Sequence, residues 1–170
     1  PADVVLGQAD FASSQANRGL AAPRADTLNW CYGALIHRGS LFVADTGNRR
    51  VLIWERIPAS NGVAADVVLG QPDFETRDAG TRDEPGGAGM RWPHGIAADG
   101  NMLFVADAGN SRVMVWRNLP RASGTPCDFV LGQNELTGAD HNRGAYAPAA
   151  TSLNMPYGIT VHSGHLVVAD

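Results

Sequence analysis

Three residues able to stack on and hydrogen-bond a polar molecule, Tyr32, His94 and Tyr157, each stand directly before a glycine, 62 and then 63 residues apart. Two phenols and an imidazole offer aromatic faces together with donors and acceptors, which makes them candidate ligand-binding residues. The competing reading is that each ring packs on a neighbouring repeat. Close to them in sequence are Trp30 and Trp92, and with Arg18, Arg91 and Arg143 these could form an aromatic and guanidinium surface for a partner. A structural zinc ion takes four converging N, S or O ligands and a catalytic one three. His94 is the one ready donor here, so no metal site and no cofactor are expected. Gly-x-Ser-x-Gly, His-Glu-x-x-His and phosphate-loop motifs are all missing, and no catalytic residue is assigned.

Such residues need a frame, and the frame is a repeat. Val4-Val5-Leu6-Gly7-Gln8-Ala9-Asp10-Phe11 returns at residues 67–74 and again as Phe129-Val130-Leu131-Gly132-Gln133-Asn134-Glu135-Leu136. Leu41-Phe42-Val43-Ala44-Asp45-Thr46-Gly47-Asn48 returns at 103–110, and its third copy reaches Ala169-Asp170. A third block, ending in Tyr32-Gly33, His94-Gly95 and Tyr157-Gly158, leads into the second. Within one unit the apolar runs 33–37, 41–44, 50–54 and 66–69 are separated by turn residues, which predicts four short strands. Asp45-Thr46-Gly47-Asn48 and Asp107-Ala108-Gly109-Asn110 supply residues that tolerate positive φ where the chain must reverse.

Composition agrees. Of 170 residues 44% are hydrophobic, 18% are charged, 20 are Gly and 10 are Pro, a balance that predicts an all-β fold of short elements and tight turns. The formal charge of −4 makes nucleic acid an unlikely partner class. No apolar run is long enough to insert in a membrane as a helix. Cys31 and Cys127 lack any metal or redox spacing and read as buried free thiols. Asp45, Asp107 and Asp170 most simply accept hydrogen bonds from their own turns. The identical placement of Arg50 and Arg112 predicts an ion pair or carbonyl contact between neighbouring units. Trp54 and Trp116 read as core.

Pro93-His94-Gly95-Ile96 followed by Val105-Ala106-Asp107-Ala108-Gly109-Asn110-Ser111-Arg112-Val113 resembles the NHL-repeat family; the first copy departs from its pattern with Cys31 in place of proline. The resemblance implies part of a β-propeller of four-stranded antiparallel blades: residues 1–11 as the outer strand of a preceding blade, 33–74 and 95–136 as two complete blades, and 158–170 as the first half of a further one. It places Tyr32, His94 and Tyr157 around one mouth of the central channel. A ring of about six blades needs roughly twice this length, so further chain segments or subunits are expected to close it. Residues 12–32, 75–94 and 137–157 are long connections of the kind that often carry function.

The expected function is a non-catalytic binding or scaffold propeller that presents this mouth and its long loops to a protein or a small polar ligand. Two alternatives stay open. One is an NHL-like lyase or hydrolase whose axial metal is held by other blades with His94 contributing. The other is an RNA-binding domain using Arg18, Arg91 and Arg143. The composition resembles exported bacterial propellers, which implies an extracytoplasmic location.

Overall fold

Strict alternation of side chains across a strand lets one short apolar run serve two cores, and the fold is built on that economy. A computed structural model describes residues 2–79 and 85–170. Strands β1 (Cys31–His37), β2 (Ser40–Asp45), β3 (Arg50–Trp54) and β4 (Val67–Leu69) form one antiparallel sheet in sequential order. Strands β5 (Pro93–Asp99), β6 (Met102–Asp107), β7 (Arg112–Trp116) and β8 (Phe129–Leu131) form a second, and β9 (Gly158–His162) pairs with β10 (His165–Ala169) in a third. The protein is therefore all-β, and among the described residues no sheet closes on itself. Residues 80–84 of the middle long connection lie outside the described residues.

The sheets stack face to face. Phe42, Ala44, Val51 and Ile53 of the first meet Leu103, Val105, Met114 and Trp116 of the second in one core. Phe104, Val113 and Val115, on the other face of the second sheet, pack with Ile159, Val161, Leu166 and Val168 of the third. The remaining face of the first sheet carries Val43, Leu52 and Trp54, covered by Leu6 and Leu28 from the N-terminal segment. Trp54 and Trp116 are core residues, 1% and 2% exposed, and each indole N–H is satisfied by a carbonyl, that of Val63 at 3.0 Å and that of Thr125 at 3.1 Å.

Three expectations need correction. Residues 4–11 form no strand, although they share the apolar pattern of β4 and β8, each of which pairs with the strand immediately before it. Cys127 is buried but Cys31 is exposed, because it opens β1, the edge strand of its sheet. Of the ion pair or carbonyl contact expected between units for Arg50 and Arg112, the ion pair lies within a sheet, whereas the carbonyls reached belong to the long connections, those of Arg24 and Thr27 for Arg50 and of Gly86 and Gly89 for Arg112. Arg50 Nε donates to Asp45 Oδ2 at 2.7 Å and Arg112 Nε to Asp107 Oδ2 at 2.8 Å, with all four side chains fully buried.

The stack brings β1, β5 and β9 side by side. Gly33 and Gly95 permit this: a Cβ on Gly33 would stand 2.2 Å from the His94 carbonyl oxygen, and one on Gly95 2.7 Å from that of Tyr157. Backbone approaches backbone at both points, so neither neighbour can yield as a flexible side chain would.

Candidate functional site

Each candidate ring is set by the same local device, which begins at the aspartate closing the second strand of its unit. Asp45 Oδ1 accepts the Asn29 N–H at 2.7 Å, Asp107 Oδ1 accepts that of Arg91 at 2.6 Å, and Asp170 Oδ1 accepts that of Asn154 at 2.6 Å. In the first two units the carbonyl of the same loop residue accepts a turn N–H, from Gly47 at 2.9 Å and from Gly109 at 2.8 Å. The other carboxylate oxygen takes the turn asparagine, Asn48 at 2.8 Å and Asn110 at 2.9 Å. Asp45 and Asp107 thus bind their own turns, as expected, and all three aspartates clamp a loop residue 16 positions earlier. Burial pushes the Asp45 and Asp107 carboxyls above their ordinary value, and the arginines and amide donors pull them back.

Beyond the clamped residue the chain turns sharply through a left-handed conformation: Trp30 at φ 54°, Trp92 at φ 55° and Met155 at φ 59°. Bulky residues rarely adopt it, and the strain recurs in all three units. The first strand of the unit follows at once, with a register shift between Cys31 and Gly33 in β1 and between Pro93 and Ile96 in β5. Irregularities of this kind re-aim side chains, and here they fall on Tyr32 and His94.

The result is a row of rings across three sheets. The Tyr32 and His94 centroids are 4.6 Å apart with planes tilted by 33°, and His94 meets Tyr157 edge-on at 4.4 Å and 81°. The rings touch one another yet remain accessible: Tyr32 is 65% and Tyr157 50% exposed. Trp30 and Trp92 join the row around an open cleft of about 530 Å³. His94 Nδ1 donates to the Trp92 carbonyl at 2.7 Å, which leaves Nε2 as an acceptor on the neutral ring. That one hydrogen bond is to a carbonyl, so the imidazole is not coupled to a nucleophile among the described residues.

Arg18 and Arg143 part company with this cluster, and Arg91 stays beside it. Arg18 forms an ion pair with Asp26 at 2.6 Å and donates to the Gln8 carbonyl at 3.2 Å. Arg143 Nε donates to the Gly132 carbonyl at 3.2 Å and its NH1 to Thr151 Oγ1 at 3.1 Å. Both close their own long connections, where Asn-Arg-Gly adopts successive left-handed residues. Arg91 lies over the Trp92 ring at 4.7 Å. No protein-family model and no curated protein sequence matches this chain.

Sequence reasoning overlooked two kinds of residue. Gln71 and Gln133, in the repeated Leu-Gly-Gln, are buried and bind the next connection: Gln71 Nε2 donates to the carbonyls of Arg49 and Ala79, and Gln133 Nε2 to those of Ser111 and Asp140. The repetition itself was the available signal. Arg49, which lines the cleft, gave none, because its counterpart in the next unit is Ser111.

Proposed function

We propose that this chain is a stretch of an NHL-type β-propeller and that its aromatic cleft is a non-catalytic ligand-binding site at the channel mouth. Face-to-face sheets with β1, β5 and β9 gathered side by side support the architecture, as does the repeat that generates each sheet. The binding reading rests on one observation: three successive units each send a ring to the same place, flanked by two indoles held in a strained backbone. A cleft of this volume, half of whose lining residues are aromatic rings and the rest mainly polar or small, has the character of a small-molecule site. Strained conformations persist where the surrounding structure over-determines them, and they gather at binding sites.

Two measurements test the proposal. Electron microscopy of the natural gene product is expected to show a ring of four-stranded sheets, and an open or linear array would overturn the propeller. Titration of 15N-labelled protein with phenol, indole and methyl glucoside is expected to shift the Trp30 and Trp92 indole N–H resonances while those of Trp54 and Trp116 stay in place. Shifts that survive the Tyr32→Ala, Trp92→Ala double variant unchanged at Trp30, or no shifts at all, would rule out the cleft as the site.

A further inference from the structure

The repeat makes the cleft nearly symmetric in shape, and one residue makes it asymmetric in charge. Arg49 and Ser111 occupy the same position, immediately before the buried arginine of each unit. Ser111 is fully buried and used up: its hydroxyl lies 2.8 Å from His141 Nδ1 and accepts the Met155 N–H at 3.3 Å. Arg49 is only partly buried and lines the cleft. Its backbone is fully engaged, with the N–H donating to the Thr46 carbonyl at 3.0 Å and its own carbonyl accepting from Gln71. Its guanidinium has no hydrogen-bond or ion-pair partner among the described residues.

Among the described residues neither Asp nor Glu lines the cleft, and the Asp45 that clamps Asn29 is buried against Arg50. The one guanidinium that lines this open aromatic cleft is matched by one negative charge, and its planar fork is shaped for a carboxylate. The Trp30, Tyr32, Trp92 and Tyr157 faces call for a flat ring on the same molecule. Resting on the reading of the cleft as a binding site, we infer that its ligand is a small ring-bearing monocarboxylate, with the carboxylate on Arg49 and the ring against the indoles.

Phenylacetate and its neutral isostere phenylacetamide separate the two claims. Phenylacetate is expected to shift the Trp30 and Trp92 indole N–H resonances and to bind at least about tenfold more tightly than the amide, the worth of one charge-assisted hydrogen bond. Arg49→Asn, chosen because asparagine tolerates the left-handed φ of 57° at this position, is expected to abolish that difference, and Arg49→Lys to keep part of it. Unmoved Trp54 and Trp116 resonances report that each variant is folded. Equal binding of acid and amide, or a preference for the acid that survives Arg49→Asn, overturns the carboxylate assignment and leaves the site standing. No shift at Trp30 or Trp92 with either compound overturns both.

Discussion

Trp30 is 76% exposed and left-handed, a combination that works against stability at the residue scale. A non-glycine residue in this region costs about 1–2 kcal/mol, and an exposed indole recovers little of that by burial. Glycine removes the strain while adding freedom to the unfolded chain, so Trp30→Gly is expected to leave unfolding free energy unchanged or to raise it by up to about 1 kcal/mol, while weakening ring binding in the cleft. The control is Trp54→Ala, whose buried ring sits in the core and whose loss should cost about 3–5 kcal/mol. Urea unfolding of both variants decides the matter: a loss from Trp30→Gly as large as that from Trp54→Ala would mean that the indole is structural and that the cleft has no need of it. The same contrast separates what was legible from what was not. Burial of Trp54 and Trp116 followed from their place at the end of apolar strands. The exposure of Trp30 is set by a hydrogen-bonded clamp on Asn29 that joins residues 16 positions apart.

At the scale of the element, the decisive unit is a strand pair together with the connection it holds. Arg112 shows how one side chain does this: beyond Asp107, its NH2 donates to the carbonyls of Gly86 at 2.9 Å and Gly89 at 3.0 Å, and its NH1 to that of Leu136. Arg112→Met would strip these acceptors and leave the Asp107 carboxyl buried without its cation, a change expected to cost about 3–5 kcal/mol at neutral pH. The sign of the pH dependence follows. Burial already raises the folded-state pKa of Asp107, and without the guanidinium it rises further. The folded variant then binds a proton more readily than the unfolded chain does. Its stability is greatest in acid, where the carboxyl is neutral, and falls as pH rises through the raised value. Urea midpoints across pH 4 to 8 that run parallel to those of the wild type would contradict this. The strands themselves were legible to within two residues at each end, because apolar alternation and turn residues are local signals. The arginine's role was only half legible: repetition marked it as structural, but whether it pairs within a sheet or across sheets depends on a side-chain path that spacing does not encode. Residues 4–11 failed as a strand for a related reason, since an identical apolar pattern becomes a strand only beside a ladder partner. Arg49 was invisible because its meaning lies in a difference between two copies rather than in their likeness.

For the whole molecule, the issue is how one sheet meets the next, and three equivalent glycines turn it into a measurement. Gly33 faces the His94 carbonyl and Gly95 the Tyr157 carbonyl, so a methyl group at either would force two strands apart. Gly158, at the same place in the third unit, would meet only the Ala169 Cβ at 3.5 Å, an ordinary contact. Gly33→Ala and Gly95→Ala are therefore expected to lower stability by about 1–3 kcal/mol, the usual cost of overpacking, and Gly158→Ala in this 170-residue chain to change it by less than about 0.5 kcal/mol. If the proposed ring exists, a further sheet packs on the third one, and its first strand approaches Gly158 as β5 approaches Gly33. Gly158→Ala should then become as costly in the ring-closed natural protein as Gly33→Ala is here. Thermal or urea unfolding of the two variants in both contexts gives the answer. A Gly158→Ala that stays neutral in the longer protein would mean that the third sheet meets no successor in this geometry, and the stacking rule would end with the three sheets seen here.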